Sequence, residues 1–132
     1  MGSQKTAFYC AAFACLTACC LSPAISRAQD APAPQAQFLT SCGTCHSAEK
    51  GAAPRQGPNL AGVYGRRAGS LPDYHYSDAL KAGGWVWDDT TLDPWMENAQ
   101  AVHPGTIMSY RQRDPAKRAL ILEYLKTLKA EP

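Results

Sequence analysis

The chain has 132 residues, enough for one ordinary domain and too few for two, with 10 Gly, 10 Pro and only 18% charged residues. Its 13 Lys and Arg against 11 Asp and Glu give a formal charge of +2 without a basic stripe, which excludes the ordinary electrostatic mode of nucleic-acid binding. Six cysteines suggest a disulfide framework, but Cys10, Cys15, Cys19 and Cys20 all fall in the N-terminal segment.

That segment has the pattern of a secretory signal, assigned to residues 1–28. Lys5 supplies a short positive start, an apolar run follows to about Leu21, and Ser26-Arg27-Ala28 places small residues at the −3 and −1 positions of a cleavage site. The uncharged stretch from Thr6 to Ser26 is long enough for a membrane-spanning reading. Its Ala, Cys and Thr content and the break at Pro23 favour cleavage. Two other processing signals overlap it. Leu16-Thr17-Ala18-Cys19 resembles a lipobox, which would leave a lipid tether on Cys19, and Met1-Gly2-Ser3-Gln4-Lys5-Thr6 fits a myristoylation pattern that an export signal overrides. Cleavage at Ala28 leaves only Cys42 and Cys45, hence no structural disulfide. It also removes Lys5 and Arg27, which brings basic and acidic residues into balance.

Residues 29–36 read as a Pro/Ala-rich arm, and residues 37–132 as the folded domain. A short helix is expected from about Gln35 to Cys42, with Phe38 and Leu39 on its apolar side. Residues 47–75 carry Gly51, Pro54, Gly57, Pro58, Gly62, Gly65, Gly69 and Pro72, and read as loop. One helical turn is expected between Tyr74 and Ala82. Asp89 or Thr90 would cap a helix reaching about Asn98, with Asp93 near its positive end and Pro94 tolerated only near that start. In the last helix, Asp114 is a good N-cap and Pro115 suits the first position. Leu120, Ile121, Tyr124, Leu125 and Leu128 form its apolar stripe, and Lys117, Arg118, Lys126 and Lys129 its other side. No strand pattern appears. The expected architecture is all-α, with three main helices and loops wrapped around one buried group that supplies the apolar mass the chain lacks.

Cys42-Gly43-Thr44-Cys45-His46 is the attachment signal for c-type haem. Two thiols add to the two vinyl groups, the two intervening residues let both sulfurs reach one porphyrin edge, and the next histidine supplies an imidazole to the iron. A thioredoxin-like dithiol would need a βαβ setting, which is absent. A structural zinc site would need a fourth ligand, and only His75 and His103 remain as histidine donors. An iron that carries electrons wants a non-exchanging sixth ligand, and Met favours the ferrous state. The candidates are Met108, after the stiff Pro104-Gly105-Thr106-Ile107 turn, and Met96, whose place in a helix suits a core residue.

The sequence resembles the class I c-type cytochromes, close to the mitochondrial and α-proteobacterial cytochrome c type. The resemblance rests on the haem motif, Gly57-Pro58-Asn59-Leu60, Gly65-Arg66, Tyr76-Ser77-Asp78-Ala79, Trp87, Thr91-Leu92, Glu97-Asn98, Pro104-Gly105-Thr106-Ile107-Met108 and Tyr124-Leu125-Lys126, in order over about residues 38–126. It implies a small cytochrome c fold and one haem c, covalent through Cys42 and Cys45. It further implies His46 and Met108 as iron ligands, and the Pro58 carbonyl as acceptor from the free ring nitrogen of His46. Arg66, Tyr76 and Trp87 would bond or neutralise the haem propionates. Phe38 and Tyr124 would pack the first helix on the last. Trp85 and Trp95 are expected in the core or cofactor wall, and His75 and His103 at the surface.

The implied function is a monomeric, single-haem electron carrier, not an enzyme, working in the periplasm, or on a membrane if Cys19 is lipidated. Its partners would be membrane or periplasmic redox proteins: an oxidase, a bc-type complex or a dehydrogenase. The alternative is a haem protein that loses Met108 ligation and binds a gas or peroxide. Three positions depart from the family pattern. Ile107 stands where a lysine is usual, Ala99-Gln100-Ala101-Val102 replaces a lysine-rich stretch, and Trp95 stands where a tyrosine lies near the distal ligand. Arg55, Arg111 and Arg113 leave a smaller basic patch, so a more apolar and less salt-dependent docking face is expected.

Overall fold

A computed structural model describes residues 32–128. The signal and lipobox readings, with Cys19, and Lys129 fall outside these residues. The described residues form four helices in order: α1 (Pro34–Ser41), α2 (Asp78–Lys81), α3 (Asp89–Val102) and α4 (Pro115–Thr127). No strand forms among the described residues. An isolated bridge between Arg67 and Val86 is the nearest approach, and Ala68 N–H to Trp85 O (3.0 Å) and Trp87 N–H to Arg66 O (2.9 Å) tie the same two loops together. No helix of the described residues is long and apolar enough to cross a membrane.

α1 starts and ends one residue earlier than the expected Gln35–Cys42, because Pro34 is preset for a first turn. It packs on α4, where the Phe38 and Tyr124 rings meet at 4.8 Å. Phe38 is fully buried, but Leu39 is 56% exposed. The face turned inward carries Gln37 with Phe38, and Gln37 satisfies its amide by donating to Ser41 Oγ at 2.7 Å. The pairing of Phe38 with Leu39 fails because adjacent residues stand about 100° apart on a helix.

The cap of α3 is Asp88, not Asp89 or Thr90. Its Oδ1 accepts from the backbone N–H groups of Thr90 (2.9 Å) and Thr91 (3.0 Å), and Thr91 Oγ1 accepts in return from Asp88 N–H (2.9 Å). The expected end near Asn98 is instead a kink, with φ −164° and ψ 88°, after which the helix resumes to Val102. Asn98 Oδ1 re-caps the second piece by accepting from Ala101 N–H at 3.3 Å.

α4 is capped by Asp114 with Pro115 in its first turn, as the pattern predicts. Arg118 is the exception to its polar side, being only 7% exposed. Its guanidinium donates to Asp93 of α3 (2.8 and 3.3 Å) and to the carbonyls of Gln112 (3.0 Å) and Arg113 (3.1 Å). Each of its three nitrogens thus has a hydrogen-bond partner, which is the condition for a charge in a helix interface. The core runs from Phe38, Ile121 and Leu125 to Leu92, Trp87, Trp95 and Met96.

Candidate functional site

Backbone ties shape the site before any side chain enters it. The amides of Cys42 and Gly43 both bond Phe38 O, and His46 N–H bonds Cys42 O at 2.9 Å, so the end of α1 turns directly into the Cys-x-x-Cys-His loop. Gly57 N–H bonds Cys45 O at 2.7 Å and brings the 55–60 loop over that turn. Asn59 anchors the loop. Its amide donates to Glu49 O (2.8 Å) and Ala52 O (2.7 Å), and its Oδ1 accepts from Ala61 N–H (2.7 Å).

These loops, α3, α4 and the 104–110 turn enclose a mainly apolar cavity of about 250 Å³. All eight residues singled out from sequence line it: Cys42, Cys45, His46, Pro58, Arg66, Tyr76, Trp87 and Met108. Thr106, Tyr110, Ile121 and Leu125, to which no sequence pattern gives a site role, line it too, as do Trp95 and Met96. Thr106 and Tyr110 flank Met108, and that adjacency was the available signal.

His46 Nδ1 donates to Pro58 O at 2.8 Å, because a carbonyl can only accept. This assigns the proton to Nδ1 and leaves Nε2 with its lone pair. Burial pushes the imidazole pKa down, partly offset by the Pro58 bond, so the ring is a neutral donor. Gly57 lies flat against it: a Cβ there would stand 2.3 Å from His46 Cε1.

Burial, with Cys45 close by, pushes the Cys42 thiol up to about 12. A reactive dithiol requires the opposite shift. Among the described residues, no three His, Cys, Asp or Glu side chains assemble into a metal-holding group. The raised thiol does not suit a reactive dithiol.

The far wall is polar at specific points. Burial lowers the Arg66 pKa and raises that of Tyr76, and Arg66 donates to Ala61 O (2.8 Å) and Asn59 O (3.0 Å). Arg67, beside it, is solvent-exposed. Thr106 Oγ1 is buried against the cavity with no hydrogen-bond partner. A partly desolvated cation and an orphaned hydroxyl on an apolar wall suit a flat apolar group with an acidic edge.

The sequence model of the family described as Cytochrome c matches residues 33–129. A cytochrome c of Sesamum indicum is 41% identical over 90 residues, covering 67% of this chain and 81% of the relative. A cytochrome c2 of Rhodopila globiformis is 46% identical over 93 residues, covering 70% and 87%. A cytochrome c2 of Rhodomicrobium vannielii is 41% identical over 92 residues, covering 69% and 74%.

Proposed function

The chain belongs to the cytochrome c family, and on that premise we propose that His46 and Met108 ligate its iron and that it shuttles single electrons outside the cytoplasm. It is a haem electron carrier rather than an enzyme, and Cys42 and Cys45 are the thiols for one covalent haem c. The observation that carries the ligand reading is the meeting of Cys42, Cys45, His46 and Met108 at one apolar cavity. The paired thiols, the ring shelf made by Gly57 and the unpartnered Thr106 hydroxyl fit the group.

Bound there, the haem supplies an iron that alternates between ferric and ferrous states. The chain does the rest. The Pro58 carbonyl fixes the plane of His46 and strengthens Nε2 as a donor. The Met108 thioether, which lines the same cavity, would be the second iron ligand and would favour the reduced state. Arg66, Tyr76, Trp87 and Thr106, which line the cavity, would hold the propionates. The apolar wall of Leu92, Trp95, Met96 and Ile121 excludes water, which limits rearrangement when charge changes. The signal pattern in residues 1–28 supports export to the periplasm, with attachment to a membrane if Cys19 is lipidated, and the carrier acts there as a monomer. The partners are an oxidase, a bc-type complex or a dehydrogenase.

Absorption spectra of the exported protein test this reading. Expected are sharp reduced haem-c bands, a methionine-to-ferric-iron band, and no response of the reduced form to carbon monoxide. A carbon monoxide shift without the methionine band overturns Met108 as ligand and supports the gas- or peroxide-binding alternative.

The turn beside Met108 exposes Ile107 (69%) and Val102 (39%), and residues 99–109 contain no Lys, Arg, Asp or Glu. Apolar docking is screened little by salt, whereas charge-steered docking is screened strongly. Stopped-flow oxidation by membranes of the source organism is therefore expected to change less than about threefold between roughly 0.01 and 0.3 M salt. A steep fall would show that a charged face steers the encounter.

A further inference from the structure

We infer that His103, stacked on Trp85, clamps the turn that carries Met108 and so holds the sixth position closed. The inference rests on Met108 being the distal ligand. His103 is the C-cap of α3 and the first residue of the turn, with its N–H on Ala99 O at 2.9 Å. Its imidazole lies parallel to the Trp85 indole, 3.7 Å between centroids and 4° between planes. It is half-buried rather than the free surface residue that its place before Pro104 suggested.

The anchor itself is firm. Trp85 sits so close to Gly83 that a Cβ there would lie 2.3 Å from Cζ3, and its edge meets Trp87 at 5.5 Å. Its backbone carbonyl accepts from Ala68 N–H at 3.0 Å. The buried Trp85 Nε1 has no partner, so ring packing rather than a side-chain hydrogen bond holds the indole.

The segment it restrains is loosely tied. Thr106 N–H reaches His103 O at a long 3.4 Å. Residues 107–111 make no backbone–backbone hydrogen bond among the described residues, and the next tie is Gln112 N–H to Met96 O at 2.8 Å. Met108 thus hangs on a span held at its two ends, and such weakly bonded spans open first. Swinging Met108 away pulls on the His103 end, so the stack opposes opening.

An added ligand binds the iron only in the open state, so its apparent affinity scales with the open fraction. Imidazole titration of the oxidised holoprotein, followed at the methionine-to-iron band, reads that fraction. His103→Ala is expected to raise imidazole affinity roughly three- to tenfold, the worth of one aromatic stack. His103→Phe keeps a flat ring and should stay within about twofold of the parent. Asp88→Ala removes the cap at the opposite end of α3 and should lower denaturant stability without raising imidazole affinity. Met108→Ala should abolish the band and give the largest gain in affinity. If His103→Ala leaves the affinity unchanged, or if Asp88→Ala or His103→Phe raises it equally, the clamp is wrong while the ligand reading stands. If Met108→Ala changes neither band nor affinity, the ligand reading fails and takes the clamp with it.

Discussion

Gly57→Ala is expected to destabilise the holoprotein by about 2–4 kcal/mol, the cost of overpacking plus one lost hydrogen bond, and to raise its reduction potential. The added methyl would stand 2.3 Å from His46 Cε1, 2.7 Å from Nδ1 and 2.8 Å from Nε2, so it meets the ring and not a flexible tip. Gly57 cannot retreat freely, because its N–H is bonded to Cys45 O (2.7 Å) and its carbonyl accepts from Arg55 N–H (3.1 Å). The ring must tilt and give up its bond to Pro58 O. That bond makes Nε2 a better donor and favours ferric iron, so its loss favours the ferrous form. Gly84→Ala is the matched comparison. Nothing lies within 4 Å of a Cβ there, and its backbone is not left-handed. Its stability should hold or rise slightly as the unfolded chain loses freedom. Denaturant titration and redox potentiometry on both variants decide the matter. Equal behaviour would mean that the shelf under His46 has no energetic role.

Phe38→Ala is expected to cost about 3–5 kcal/mol in denaturant unfolding of the holoprotein, a large share of the stability of a domain this size. Phe38 is 1% exposed, and its ring packs at 4.8 Å on Tyr124, so truncation leaves a cavity at the α1–α4 contact. Phe38 O also accepts from Cys42 N–H (2.7 Å) and Gly43 N–H (3.2 Å), so loosening α1 loosens the start of the haem-binding loop. Leu39→Ala, one residue along but 56% exposed, should change stability by less than about 0.5 kcal/mol. Similar losses in the two variants would show that α1 is not seated as described.

The attachment chemistry is legible in the chain alone, because Cys42, Cys45 and His46 lie within five residues and need no folding to be neighbours. So are the cap and stripe of α4, where Asp114, Pro115, Ile121 and Leu125 act through local backbone geometry. Pro58, Arg66, Tyr76 and Trp87, which also line the cavity, came from ordered short motifs, a resemblance and not a calculation of distance.

Features that depend on partners distant in the chain emerge only on folding. Arg118 reads as one more surface cation until Asp93, 25 positions earlier, is brought against it. Periodicity cannot choose between Phe38 and Leu39, since only the approach of α4 defines an inside. Asn98 reads as a helix end, yet the chain kinks there and resumes. His103 reads as a surface histidine until the loop bearing Trp85 is laid beneath it. Local patterns encode the Asp114 cap, turns and covalent reach; which face is buried, and which ring stacks on which, is set by the contacts that packing creates.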